Sequence, residues 1–402
     1  SMIDNWGTLT IKSGTYTGGL NVVKSEEGST LTINGGKFTL EYATEGYTGV
    51  IFAYGDTTIS GGEFIQELTT TGRWNHPQVI LAGVVEGYTS SVKVTGGTFT
   101  NKMSGESIFR GVGKATSDNF EVSGGTFNKS ISEGYCADGF IPTKNADGTY
   151  GVKEGKYVAA VGKTKYETLA DAIRLAAKGK TVKLLDDVTE NIEIAKAKNF
   201  TLDLNGHTLS GGTTAGKAAL TNYGKLTIND SSEAQTGTIK REDKNTGGYY
   251  VIDNKGTMTI NGGNVINNSS KKGSSLIRNG GAEDDNAYPT LNITGGTFTQ
   301  LNFIAIKNDA LSRLNVSGGK ITSNASAIQN WYEATITGGE INGQLWTDAF
   351  AWDGGESTGN TTISENAKFN GEIVMDITGE NVVPKLNISG GNLNITNWRI
   401  TT

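Results

Sequence analysis

Apolar residues fall at every second position in short runs along this chain, and run after run ends on a pair of glycines. Residues 57–64 read Thr57-Thr58-Ile59-Ser60-Gly61-Gly62-Glu63-Phe64, and residues 31–38 and 92–99 repeat the phrase with other polar residues. It returns at 258–265, 291–298, 314–321, 334–341 and 386–393. Alternation with period 2 predicts a strand with one buried face. The paired glycines predict a bend through backbone conformations closed to other residues. The copies recur every 20 to 35 residues, the spacing of one coil in a solenoid. One copy cannot bury its apolar side alone. Stacked copies can, at about 1.5–3 kcal/mol per large side chain before entropy is charged. The predicted fold is therefore all-β, a parallel β-helix.

Taken in order, residues 1–153 read as the C-terminal part of a first module. It ends in a hairpin, turning at Asp147-Gly148, that closes the end of the tube. Residues 154–402 read as a second module. Its opening, 154–180, is the one helical stretch, with a capping helix near 166–178. Thr168 would be the N-cap, Leu169, Ala172, Ile173 and Ala176 the buried face, and Gly179 the stop. The second module also carries an asparagine series. Asn222 and Asn254 stand four residues before an inward apolar residue, and Asn279, Asn308 and Asn330 occupy the same corner of later coils. Stacked there, they would hydrogen-bond to one another and to backbone groups that the bend leaves unpaired. The first module has no such series. The abrupt start and end of the pattern predict a fragment of a longer protein.

Composition narrows the classes. Gly 57 against Pro 4 suits turn-rich β-structure, and the glycines do not fall every third residue as in collagen. A net charge of −6 gives no footprint for nucleic acid or an anionic membrane. No apolar run has transmembrane length, so no direct membrane insertion is expected of these residues. The single cysteine, Cys136, excludes an internal disulfide and reads as half-buried and inert.

The strand-Gly-Gly-x-Phe coils, the Asp147-Gly148-Thr149-Tyr150 ending and the Tyr166-Glu167-Thr168-Leu169-Ala170-Asp171-Ala172-Ile173 opening together resemble pectin-lyase-like right-handed β-helix modules. More narrowly they resemble the tandem modules of large surface proteins of Gram-positive gut bacteria. The segment Leu202-Asp203-Leu204-Asn205-Gly206-His207-Thr208-Leu209 is similar to the second coil of such modules. The resemblance covers nearly the whole chain and implies the handedness, an extracellular place on a bacterial cell surface, and adhesin-like work. It implies little chemistry, because the same fold hosts lyases, hydrolases, tailspikes and adhesins.

Outward strand positions are mostly Thr, Ser and Asn, without the row of aspartates that a hydrolase or lyase would carry on successive strands. The runner-up enzyme, a polysaccharide lyase or glycoside hydrolase, would need carboxylates from the Glu283-Asp284-Asp285 loop and Asp348 or Asp353 to meet in one groove. Histidines are two, His76 and His207, too few for a metal cluster or a His-based triad, and His207 is expected to pair structurally with Asp203. Ice binding would need a flat and regular Thr-x-Thr array, and among the outward pairs Thr32/Asn34, Thr58/Ser60, Thr259/Asn261 and Thr335/Thr337 only the last is a good instance. Trp331, Tyr332, Trp346 and Trp352 crowd into two successive coils and form the candidate ligand site, since exposed rings give large contact area for little entropy. Trp74 and His76, beside Pro77, form a weaker second candidate. The expectation is a monomeric, non-catalytic cell-surface adhesin or stalk module, without cofactor or metal. Its partners would be host or dietary glycans or glycoproteins, not nucleic acid.

Overall fold

The structure, a computed structural model, describes all residues except 44–45, 71–74, 213–215, 242–248, 268–273, 282–287, 353–354, 378–381 and 402, with the backbone alone at 350–352 and 355–356. The described chain is nearly all β, with parallel sheets, and falls into two compact units, Ser1–Lys156 and Tyr157–Thr402.

In the first unit each repeat contributes one strand to each of three sheets. The glycine-ended runs Thr8–Ile11, Thr30–Ile33, Asp56–Ile59 and Val92–Val94 pair in parallel with Leu31, Ile33, Ile59 and Val94 fully buried. The residues after each Gly-Gly begin a strand of the next sheet: Lys37–Leu40, Glu63–Gln66 and Thr98–Asn101. The two glycines have different reasons to be there. Gly62 has φ +112°, a conformation that a side chain resists, whereas a Cβ on Gly61 would lie 2.6 Å from the Asn34 carbonyl oxygen of the preceding repeat. The first glycine is there for close stacking, the second for the bend.

Behind the second bend stands a ladder of rings. Tyr16, Phe38, Phe64, Phe99 and Phe127 stack with centroids 5.0, 5.0, 4.9 and 5.3 Å apart, the first three steps nearly parallel. The expected hairpin is present as Phe140–Lys144 with Tyr150–Glu154. It turns through Gly148 at φ +88° and joins the last strand of the ring-bearing sheet at Phe127↔Tyr150. A 3₁₀ turn at Glu133–Tyr135 precedes its first strand.

The second unit opens differently from the expectation. The helix spans only Leu169–Leu175 rather than 154–180. Ala159–Val161 and Thr164–Tyr166 instead form an antiparallel hairpin around Gly162 (φ +61°), and the first of these strands also pairs with Thr181–Leu184. Alternation and a positive-φ glycine outweighed helix propensity there, which is a weak prior. The N-cap is as read, but the helix stops at Ala176, whose N–H donates to the Ala172 carbonyl, and not at Gly179. The Thr168 hydroxyl accepts from the Asp171 N–H, and Leu169, Ala172 and Ile173 are buried against the first strands. A contribution the sequence did not announce is Glu190, whose carboxylate accepts the Leu169 and Ala170 N–H groups at 2.9 and 3.1 Å and so neutralises the helix start.

From there two sheets run the length of the unit. One holds the glycine-ended strands from Thr181–Leu184 to Lys385–Ile388. The other has two arms, Thr208–Gly211 to Thr297–Gln300 and Ile192–Ile194 to Ile306–Asn308. The arms merge where the intervening loops vanish, in the long strands Lys320–Asn330, Glu340–Trp352, Lys368–Ile377 and Asn392–Thr401.

Candidate functional site

The asparagine series organises one arm of that sheet. Ile252–Asn254, Ile277–Asn279, Ile306–Asn308 and the end of Lys320–Asn330 pair in parallel without a register shift between their asparagines. Each Nδ2 donates to the next Oδ1: Asn222 to Asn254 at 2.8 Å, Asn254 to Asn279 at 2.7 Å, Asn279 to Asn308 at 2.7 Å, and Asn308 to Asn330 at 2.8 Å. The same amides donate to carbonyls of the next repeat, such as Asn279 to the Arg313 oxygen at 3.0 Å. Asn330 ends the run on the Thr361 hydroxyl at 3.0 Å, and Thr361 meets Thr347 at 2.7 Å. All five asparagines are fully buried.

Strand alternation sends the residues on either side of each asparagine outward. The residues before them stack as one column, Asp253↔Arg278↔Lys307↔Gln329↔Trp346, roughly 4.8 Å per step. The residues after them form a second column, Lys255, Gly280, Asp309 and Trp331. Their backbone N–H groups bond to the asparagine carbonyls of the preceding repeat at 2.8–2.9 Å. The buried amide ladder is thus the spine between two outward columns.

The columns interlock. Arg278 donates through Nε to Asp309 Oδ2 at 2.8 Å, and its Nη1 lies 3.8 Å from Asp253 Oδ1. Lys307 Nζ is 3.0 Å from Asp309 Oδ1 and 4.4 Å above the Trp331 ring. The Arg278 guanidinium lies 5.5 Å over Tyr250, and the Tyr249 hydroxyl reaches Asp253 Oδ2 at 3.4 Å. Asp253 is 1% exposed. Burial pushes its carboxyl above the usual range, more than Arg278 and Lys255 pull it down. Gly280 and Gly281 leave room for this arrangement, since a Cβ on Gly281 would lie 2.4 Å from Arg278 Nη2 and one on Gly280 2.4 Å from Asp309 Cβ.

The sequence candidates are divided by the structure. Trp331 joins the interlocked columns and Trp346 stands in the first column beside Gln329, both half-buried. Tyr332 turns to the neighbouring sheet. It stacks on Tyr288 at 5.8 Å, with the Arg313 guanidinium 4.5 Å from the Tyr288 ring and paired to Glu333 at 3.0 Å. Burial, and then the Glu333 carboxylate, raise the Tyr332 hydroxyl's pKa. Trp352 ends the strand Glu340–Trp352. Trp74, the Glu283-Asp284-Asp285 loop and Asp353 lie outside the described residues, and Asp348 is 6% exposed. Asp253, Arg278, Lys307 and Asp309 were missed. Their signal was the pair of residues flanking each ladder asparagine, which period 2 places on one face.

His207 does not pair with Asp203. Asn205 (φ +48°) and Gly206 (φ +82°) break the strand between them, so His207 Nδ1 lies 3.7 Å from Asp187 while Asp203 accepts the Ser231 N–H and hydroxyl. In the first unit His76 Nδ1 meets Glu106 at 2.9 Å. Gln78 donates to the same carboxylate, and Arg110 lies 3.6 Å away while donating to the Tyr47 hydroxyl at 3.1 Å. This cluster satisfies itself. Cys136 is half-buried, and burial pushes its thiol up to about 11, far from a reactive thiolate. Among the described residues no three His, Cys, Asp or Glu side chains gather to hold a metal ion, and no helix is long and apolar enough to cross a membrane. No known family, curated protein or solved structure matches the chain.

Proposed function

We propose that this chain is a non-catalytic binding or stalk module of a bacterial cell-surface adhesin, built as two right-handed parallel β-helices in tandem and working outside the cell as a monomer. Its partners are host or dietary glycans or glycoproteins. The solenoid part of the reading is supported by successive repeats that add strands in parallel to the same sheets, with the ladder asparagines in register. The handedness rests on the resemblance of the repeats.

The observation that carries the function is the pair of outward columns over the amide ladder. Rings, cations and carboxylates are held there at fixed spacing, Arg278, Lys307 and Asp309 partly buried and Asp253 fully so, at the cost of desolvating charges that a plain structural face would leave exposed. Such preorganised groups lose little entropy when a ligand arrives. The test is retention of intestinal mucus glycoproteins and plant polysaccharides on the immobilised chain. Retention lost with Trp331→Ala, and polymers recovered at their starting length, is the expected result. New reducing ends or unsaturated sugars after incubation would replace the adhesin with an enzyme.

A further inference from the structure

We infer that the ligand of the two columns is an uncharged glycan lying along them, across the strands. This rests on the glycan-binding reading above and specifies its substrate class. The charges of the columns cancel: Lys255, Arg278 and Lys307 stand against Asp253, Asp309 and Asp348, the last following Thr347, which pairs with Asn330 and so extends the second column by one row, three cations to three carboxylates. They are also engaged with one another. Arg278 is held between Asp309 and Asp253, and Lys307 between Asp309 and the Trp331 ring. At Arg278 or Lys307 an acidic sugar could dock its carboxylate only by taking the cation from its partner and leaving that carboxylate unpaired, which is costly. Lys255 is held by Tyr223 instead, its Nζ 3.3 Å from the hydroxyl and 5.0 Å over the ring.

A neutral sugar has no such conflict. Each of its hydroxyls both donates and accepts. Neighbouring hydroxyls can therefore bridge a column donor, Arg278 or Lys307, to an acceptor, Asp309, without separating the pair. The direction follows from the register, because the partly exposed donors, acceptors and rings succeed one another from Arg278 to Trp346 across adjacent strands, roughly 4.8 Å per step. Only a chain running along the columns meets them in turn. Glycan length should therefore raise affinity until the columns are covered.

The experiment uses the full chain on a biosensor surface. The neutral probes are gluco- and manno-oligosaccharides of increasing length, and the acidic probes are oligogalacturonate, sialyllactose and heparin. The neutral series should bind, strengthen with length, and lose binding with Trp331→Ala. Between about 0.05 and about 0.5 M NaCl its affinity should change less than about twofold, because no net charge is being matched. Asp309→Asn leaves one cation in excess and should bring oligogalacturonate binding to at least about tenfold above the native chain. The salt series on the native chain tests the inference by itself should that variant fail to fold. If the native chain prefers oligogalacturonate or heparin, with affinity that collapses in salt and still depends on Trp331, the inference is wrong while the glycan reading stands. Absence of binding to every saccharide would remove both.

Discussion

The two units stack their repeats on different kinds of ladder. At the corner where the second unit places Asn222, Asn254, Asn279, Asn308 and Asn330, the first unit runs Asn5↔Ser25↔Ala53↔Ala82, and only its first step is a side-chain hydrogen bond. Where the first unit stacks Tyr16, Phe38, Phe64, Phe99 and Phe127, the second runs Leu209, Ile239, Val265, Phe298 and Ile321. One unit aligns its repeats by ring faces, which tolerate sliding. The other aligns them by amides, which do not.

The outer surface follows the same division. The column beside the corner in the first unit reads Lys24↔Phe52↔Leu81↔Arg110, with Phe52 and Leu81 buried and Tyr54 stacked on Phe52 at 4.6 Å. In the second unit it is Asp253↔Arg278↔Lys307↔Gln329. Half-buried charges need fixed partners. A directional spine supplies that fixity where an apolar one would not.

The sharpest way to break the comparison is to put a charge in the spine. Asn279→Asp keeps the shape but turns a donor into an acceptor facing Asn308 Oδ1 and two carbonyls. It should cost about 3–5 kcal/mol, the range for an uncompensated buried charge. Calorimetry should show the transition of the second unit lowered and that of the first unchanged. A loss below 1 kcal/mol would mean that the ladder is decoration, roughly what an exposed site costs.

A pair of substitutions then sharpens it. Phe64→Leu removes one ring between Phe38 and Phe99 but keeps an apolar filler, and should cost about 1–2 kcal/mol. Asn279→Leu makes the spine more apolar, yet it orphans the Asn308 acceptor and carbonyls of the next repeat, so about 2–4 kcal/mol is expected. Urea titration of each variant reads the difference. If the more hydrophobic leucine is the better tolerated of the two, the directional account fails.

Much of this was legible in the sequence, for reasons that particular residues make clear. Strands were found because period 2 is a local property, plain in Leu31 and Ile33 or in Met258 and Ile260. The amide ladder was found because Asn222 and Asn254 stand four residues before Leu226 and Met258, which marked the corner that Asn279, Asn308 and Asn330 occupy in later coils. The helix was overextended because Ala159–Val161 owes its strand state to pairing with Thr181–Leu184, a contact beyond the local window, and Thr164–Tyr166 owes its own to pairing with Ala159–Val161. The site was half found for the same reason. Aromatic residues at 331, 332 and 346 announce themselves, whereas Asp253, Arg278, Lys307 and Asp309 look like ordinary solvated charges. They become a site only when repeats some 25 to 30 residues apart are laid in register.

Acid titration gives the finest comparison, because the two carboxylates that bear on it shift in opposite directions within one unit. For Asp230, burial would raise the pKa, but hydrogen bonds from Ser232, Gly237 and Gly206 outweigh it and hold the group below its ordinary value of 3.8. A depressed folded pKa contributes stability that is present above the unfolded value and lost as pH falls through the folded one. Asp253 is raised by burial, so its contribution is present below 3.8 and lost as pH rises through its folded value. Asp230→Asn leaves the Gly237 N–H facing an amide donor and should cost about 1–3 kcal/mol at neutral pH. That difference from the native chain should shrink as the pH falls below about 4, where the unfolded carboxylate takes up its proton, and vanish only below the depressed folded value. Asp253→Asn should do the reverse, with its stability relative to the native chain rising from acid toward neutral pH. Parallel stability curves for the native chain and Asp230→Asn down to about pH 2 would show that the backbone donors of Gly206, Ser232 and Gly237 do not select the ionised carboxylate.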